Sequence, residues 1–266
     1  MRLAIFSDVH GNLAALEAVL ADIERRGPFD AFGVAGDLCE WGPQPREVLE
    51  RLRALAYPVV QGNTDYNVVQ GNTDHSVVQG NTDYNVVPAE EEEQRAPGRS
   101  ASSIEARAWT IAQIGIEGVA YLSTLPSSHT FSGPDGGDVL MVHANACDQT
   151  THLHADASPK RVAKLLGGST ANTIVFGHLH TPYARRVAGR LLVNVSSVGY
   201  PRDGDHRAAY AELTWDGVWH ATIRRVAYDL EATVAAFEAS GMPRGERRIA
   251  ALYRARYTSA LSRKAG

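Results

Sequence analysis

Apolar residues in this chain fall alternately into short unbroken runs and into helical spacing. Residues 3–6 form a continuous apolar run, the pattern of a strand covered on both faces. Leu13, Leu16, Ala18, Val19, Leu20 and Ile23 then recur at helical spacing up to the Gly27-Pro28 break. Residues 31–35 give a second run, and a helical period returns over 46–55 after the Pro43 and Pro45 breakers. A third run, 57–61, predicts a third strand. This alternation predicts a sheet with parallel neighbours. Beyond the acidic run 90–93 and the Pro97-Gly98 break, a capping box over 102–105 opens a helix to about residue 114, and 122–126 ends that helical region. The second half predicts shorter strands at 139–143, 173–176, 190–195, 208–213 and 218–226, the last two joined by an Asp216-Gly217 turn. Two helices, about 229–239 and 244–261, close the chain.

The third run introduces a repeat. Residues 59–67 (VVQGNTDYN) recur as 68–76 (VVQGNTDHS) and 77–85 (VVQGNTDYN), three copies of a nine-residue unit. Units this short and this few do not make a solenoid. They read as a tandem expansion of one functional segment. One copy fills the strand position, and the other eighteen residues are expected to loop out or form a hairpin.

Composition narrows the class. With 266 residues, 44% hydrophobic and 21% charged, the chain can bury a full core. The expected organisation is one domain over 1–266, with a core to about residue 228, a helical extension over 229–266 and the repeat inserted within 59–85. A net charge of -4 excludes a chain-wide basic surface for nucleic acid or anionic membrane. Only Cys39 and Cys147 are present, so no disulfide framework is expected and a cytoplasmic setting is. No apolar run approaches the roughly 18 residues of a membrane span, and the first run breaks at Ser7-Asp8, too early for a signal-peptide core.

The polar residues at the ends of the apolar runs carry the chemistry. Asp8 and His10 follow the first, Asp37 the second, one repeat Asn the third, His143 the run 140–142, and His178 and His180 the run 174–176. Four imidazoles, two carboxylates and a carboxamide exceed what one ion takes and suit two divalent ions sharing a carboxylate. Thiolates are absent from the set, which argues against a structural zinc knot.

In order, these blocks read Asp-x-His, Gly-Asp, Gly-Asn, a lone His, and Gly-His-x-His. Residues 194–203 (NVSSVGYPRD) add a further similar segment. The chain thereby resembles the calcineurin-like metallophosphoesterases, in the branch of small bacterial and archaeal phosphodiesterases, from residue 1 to about 229. The resemblance implies an α/β fold, a four-layer αββα sandwich of two mixed sheets flanked by helices. It implies that Asp8, His10 and His180 hold one metal, that Asp37 bridges, and that Asn63, His143 and His178 hold the other. Asp37, His143 and His178 are the residues implied in catalysis. The cofactor would be two divalent ions, Mn first, with Fe, Zn, Ni or Co as alternatives. The reaction implied is hydrolysis of a phosphodiester or nucleotide-like phosphate ester by in-line attack of a metal-bridging hydroxide. A phosphomonoesterase and a scaffold of low turnover on the same fold, as in a retromer subunit, are the alternatives. A small phosphate ester is the expected partner, with a homo-oligomer left open.

Two departures bear on function. Thr64 stands where many relatives place a His that assists the leaving group, as do Thr73 and Thr82 in the other copies, and threonine is a poor acid at neutral pH. Residues 36–42 lack the Arg of protein serine/threonine phosphatases, which argues against that activity. The repeat leaves the Asn ligand open between Asn63, Asn72 and Asn81. Asn63 is favoured because it lies 26 residues after Asp37, close to the 27 between His10 and Asp37, and Asn81 is the main rival. Asn12 reads as a helix cap first and a phosphate contact second. Asn145 and Arg202 are further candidate phosphate contacts. His152 and His154, in a loop after His143, read first as surface histidines and second as groups that could approach substrate, Asp65 reads as a support for the Gly-Asn turn, and Cys39 as a packing residue.

Overall fold

The computed structural model describes residues 1–78 and 101–256. Nine strands fall into two mixed sheets among these residues. The first sheet contains β1 (Arg2–Phe6), β2 (Ala31–Val34), β8 (Ala208–Trp215) and β9 (Trp219–Val226), in the order β2-β1-β8-β9. The second contains β3 (Ser128–Phe131), β4 (Val139–Val142), β5 (Thr173–Phe176), β6 (Tyr183–Val187) and β7 (Arg190–Asn194), in the order β3-β4-β5-β7-β6. Strands β1 and β2 run parallel with Leu3 opposite Ala31, and β4, β5 and β7 run parallel in the other sheet. The pairs β1–β8, β8–β9, β3–β4 and β6–β7 are antiparallel.

The alternation of side chains across β1 builds two layers at once. Leu3 and Ile5 join Met141, Val175, Val193, Leu213 and Trp219 between the sheets. Ala4 and Phe6 point the other way, into a core with helices α1 (Leu13–Arg26), α2 (Pro45–Leu55), α3 (Asn63–Val78) and α4 (Ala101–Ser123). The outer face of the second sheet, through Ile174, Phe176 and Leu192, is covered by Val162 and Leu165 of α5 (Pro159–Leu165). Helices outside two face-to-face mixed sheets make the expected sandwich. Each fully buried Leu, Ile or Phe in these layers contributes about 1.5–3 kcal/mol before the entropy of ordering is subtracted. Two closing helices, α6 (Leu230–Ser240) and α7 (Gly245–Arg254), pack Phe237 and Leu252 with Tyr200, Met242 and Ala106.

Local chemistry sets the ends of these elements. Asn12 caps α1, its Oδ1 accepting from Ala15 N at 3.1 Å, and Gly27 follows the helix. Helix α4 is interrupted by Gly115 at φ 66°, just past the expected end at residue 114, and resumes to Ser123. Its first residue is Ala101, and the Ser102 and Ser103 side chains of the capping box lie outside the described set.

Two expectations are corrected. The strand expected at 57–61 is reduced to a single parallel bridge between Val34 and Val59. Pro58 has no N–H to give, and Gln61 N donates instead to Pro126 O at 2.8 Å, drawing the segment away from β2. The repeat, expected to loop out or form a hairpin, continues as helix: α3 starts at Asn63 in the first copy and runs through the second. The third copy lies largely outside the described residues, as do the acidic run 90–93 and the end of the helix expected to reach 261.

Candidate metal centre

Six of the seven candidate ligands sit just past the carboxyl ends of strands, and the seventh, Asn63, opens α3 after the Val59 bridge. Asp8 and His10 follow β1, Asp37 follows β2, His143 follows β4, and His178 and His180 follow β5. Parallel neighbours deliver their ends to the same edge, so both sheets aim side chains at one place. Asp8, His10, Asp37, His178 and His180 all adopt left-handed backbone, with φ of 56°, 50°, 57°, 65° and 56°. Glycine would adopt this conformation freely, but the side chains are what the site uses. Asp and His tolerate it better than most residues, at an order of 1–3 kcal/mol each.

The imidazoles are held in one common way. Nδ1 of His10, His143 and His180 donates to Glu40 O at 2.9 Å, Ala35 O at 2.7 Å and Tyr200 O at 2.6 Å. His178 is reversed, its Nε2 donating to Thr150 O at 2.9 Å. A carbonyl only accepts, so each of these nitrogens carries the ring's proton, and the other nitrogen of the neutral ring is a bare lone pair. The lone pairs of His10, His143 and His180 meet other acceptors. His10 Nε2 is 3.2 Å from His180 Nε2, and His180 Nε2 is 3.0 Å from Asp8 Oδ1. His143 Nε2 is 2.9 Å from Asn63 Oδ1 and 3.5 Å from Asp37 Oδ1, while Asp37 Oδ2 is 3.7 Å from His10 Nε2. Asp8 Oδ1 is buried with no hydrogen-bond partner among the described residues. Acceptors converging on acceptors in a buried site need positive charge between them, from protons or cations. This donor set fits divalent cations, with the opposite nitrogen of each ring anchored as metal-ligating histidines usually are. Asp8, His10 and His180 form one compact group, and Asp8, Asp37 and His143 another.

The ionisation of the site follows from burial and neighbours. Burial opposes ionisation of Asp8, but the His180 and His10 imidazoles hold its carboxyl well below the ordinary range. Burial lowers His10 and brings His178 down to about 4, with His143 adding to the latter. Burial also disfavours the His143 imidazolium, yet the Asp37 and Asp8 carboxylates outweigh it and raise this group. A field that favours a proton there favours a divalent cation for the same reason. Asp65 is raised to about 7 by burial and by Asp37, and Glu40 to about 7 by burial.

The repeat copies separate cleanly in the first two cases. Asn63 opens α3 and meets His143. Asn72, nine residues on, is about 2.5 turns and 13.5 Å further along the helix, so its position faces the opposite way. Asn81 lies outside the described residues. Asp65 supports the Gly-Asn turn and more: its carboxylate accepts from Gly62 N at 3.0 Å, Asp37 N at 2.8 Å and Leu38 N at 2.9 Å.

Two of the three candidate phosphate contacts, Asn12 and Asn145, are engaged elsewhere. Asn12 Oδ1 accepts from Thr233 Oγ1 at 3.0 Å as well as from its own helix, and its Nδ2 donates to Gly199 O at 3.4 Å. Asn145 is turned into its own loop, accepting from Cys147 N and Asp148 N at 2.8 and 3.0 Å and donating to Thr151 O at 2.8 Å. Arg202 lies beside the centre, its backbone N donating to His180 O at 2.8 Å. His152 packs its ring 4.9 Å from His178, whereas His154 stands off against His152 at 5.2 Å.

Sequence reasoning passed over Trp41, whose ring stacks on His10 at 4.5 Å and 12°. The one available signal was its place after the Gly36-Asp37 turn. Gly177 was read only as part of a motif, yet it opens the turn that joins the sheets: its N donates to His143 O at 2.9 Å within the second sheet, and His178 N donates across to Asp8 Oδ2 at 2.9 Å.

Comparison with known proteins gives these observations a family. An uncharacterized protein of Methanocaldococcus jannaschii is 28% identical over 244 residues, covering 86% of this chain and 88% of its own. The crystal structure of a metallophosphoesterase from Sphaerobacter thermophilus matches with a TM-score of 0.70 and 28% identity, over 96% of this chain and 99% of that one. A hypothetical protein of Pyrococcus horikoshii shares the fold with a TM-score of 0.76 at 18% identity, over 96% and 98% of the two chains. Residues 1–217 match the calcineurin-like phosphoesterase superfamily domain, and the chain belongs to that superfamily.

Proposed function

We propose that this chain is a dinuclear metal-dependent phosphoesterase acting on a phosphodiester or nucleotide-like phosphate ester. The observation that carries the proposal is the meeting of the bare lone pairs of His10, His143 and His180 with carboxylate oxygens at one buried edge, with the outer nitrogen of these three rings and of His178 bound to a backbone carbonyl. Asp8, His10 and His180 hold one divalent ion, Asn63, His143 and His178 hold the other, and Asp37 lies between with one oxygen towards His10 and the other towards His143. Two such ions, Mn²⁺ being the working choice, supply Lewis acidity for activating water and for neutralising charge on phosphoryl oxygens. The chain's own groups fix that arrangement. Thr64 N orients Asp37 Oδ1 at 2.8 Å, and Asp65 locks the backbone of residues 37 and 38. Thr64 Oγ1 is buried without a hydrogen-bond partner among the described residues and stays protonated at neutral pH. With no acid at that position, esters whose leaving group departs without protonation are favoured.

The test is hydrolysis of bis(para-nitrophenyl) phosphate and para-nitrophenyl phosphate by the chain with Mn²⁺ restored, with Asp37→Asn as control. Diester turnover requiring both Mn²⁺ and Asp37 is expected. A clear monoester preference would retain the metal site and change the substrate class. No metal-dependent turnover on either would favour a scaffold.

The choice of Asn is tested separately. Asn63→Ala is expected to reduce turnover to background, while Asn72→Ala and Asn81→Ala leave it within about twofold, because Asn63 already meets His143. Equal, mild losses in all three would mean that the copies substitute for one another.

A further inference from the structure

Helix α7 begins after residue 217, where the superfamily match ends, and it brings a concentration of positive charge to the flank of the centre. Arg244, Arg247, Arg248 and Arg254 line a cavity of 660 Å³ together with Arg202, and Glu246 is the acidic residue in its lining. This runs against the chain's net charge of -4. Among the described residues, the side chains of Arg244, Arg247 and Arg248 make no hydrogen bond or ion pair, so three guanidinium groups share the cavity with Glu246 as the carboxylate in its lining. Glu40, the carboxyl acting on Arg248, is itself buried and lies beside Arg107 at 3.7 Å.

The cavity is coupled to the metal centre through two aromatic rings. The Arg248 guanidinium lies 4.9 Å over Trp41, and the same indole stacks with His10 at 4.5 Å. Arg202 lies 5.6 Å over Tyr200, whose carbonyl anchors His180 Nδ1. Trp41 therefore touches both Arg248 and a candidate ligand. Guanidinium groups suit phosphate in particular, because their planar N–H forks match its oxygens in pairs.

We propose that this cavity is an anion subsite for a second, non-reacting phosphate, so that the substrate is a phosphodiester carrying a further phosphate on one arm. The proposal rests on the phosphoesterase reading for its reacting phosphate and goes beyond it in naming what the other arm carries. Arg248, held against Trp41, would set the position of that phosphate, and the exposed Arg244, Arg247 and Arg254 would draw it in.

The test uses the full chain loaded with Mn²⁺ and two esters differing in one group, thymidine 5′-(para-nitrophenyl phosphate) with and without a 3′-phosphate. The 3′-phosphorylated ester is expected to show a KM about tenfold lower, the gain from one or two charge-assisted hydrogen bonds. Arg248→Gln and Arg247→Gln should each reduce that advantage, and Arg247→Gln should leave turnover of bis(para-nitrophenyl) phosphate unchanged. The exposed Arg247 guards against a folding artefact at Arg248. Calorimetric binding of thymidine 3′,5′-bisphosphate against thymidine 5′-monophosphate gives a readout that needs no turnover, with the same advantage and the same loss in the variants expected. Equal affinity of the wild-type chain for the two nucleotides, or an advantage that survives both substitutions, would overturn the subsite. Failure of the phosphoesterase reading would show differently, as absent hydrolysis of every ester with the difference in binding intact.

Discussion

Asp37→Asn is expected to lower metal-dependent turnover by about three orders of magnitude, or some 4 kcal/mol of barrier, without unfolding the chain. The change is nearly isosteric, and an amide oxygen can still accept from Thr64 N as Oδ1 does at 2.8 Å. It fails on the other side of the group. Asp37 presents one oxygen to His143 Nε2 at 3.5 Å and the other to His10 Nε2 at 3.7 Å, so it lies between the two halves of the centre. Asparagine puts an NH₂ in place of one oxygen and removes the negative charge that two cations would share. The checks are turnover, cation stoichiometry by calorimetry, and a thermal melt without added metal. Two cations bound as before with turnover above a tenth of wild type would sink the bridging role.

A pair of identical substitutions is expected to have opposite outcomes. Gly62→Ala and Gly71→Ala fall at the same position of successive copies, in the same local sequence Val-Val-Gln-Gly-Asn-Thr-Asp. A Cβ on Gly62 would overlap Asp37 Oδ1 and the Asp37 backbone nitrogen. Neither can retreat: the nitrogen is bound to Asp65 Oδ2 at 2.8 Å, and residue 37 is already in left-handed backbone at φ 57°. The expected cost is about 3 kcal/mol, with activity lost as Asp37 is displaced. Gly71 lies inside α3, where its Cβ would meet Arg107 Cδ at 2.7 Å, part of a long flexible side chain, and Ile111 Cδ1 at 3.4 Å. Alanine in a helix interior is better than glycine by about 1 kcal/mol, so Gly71→Ala is expected to be neutral or mildly stabilising. Denaturant unfolding of both variants decides this. Similar losses in the two would show that the second copy is packed as tightly as the first.

What could be read from the sequence divides along the edge of a sheet. The strands ending in ligands were legible because they are buried on both faces, giving the unbroken runs of β1, β4 and β5. The two strands not anticipated, β3 and β6, are the two edges of the second sheet. Their sequences, SHTF and YARRV, are half exposed and carry polar or charged residues, as edge strands do. Helix α5 was missed because seven residues hold too few periods to detect. Asn63 apart, the residues of the candidate metal centre were legible as types at strand ends, and their convergence follows from two pairs of parallel neighbours. What could not be read was the supporting layer. Trp41 on His10 and the backbone carbonyls of Glu40, Ala35, Tyr200 and Thr150 depend on chain crossings that no local pattern encodes. The repeat misled for a simpler reason. Its glycines and asparagines resemble turn signals, but a nine-residue period also fits a helix once a first turn is nucleated at Asn63.

That period has a consequence of parity. Nine residues advance a helix by an odd number of half turns, so one added unit carries the following residues to the far side, and two added units bring them back. Copy number in such a segment therefore acts less as a length than as a switch between two orientations. Three copies stand an even number of units from one, and a helix extended by that difference would present the same face as the single-copy form while the junction at Asn63 stays where it is.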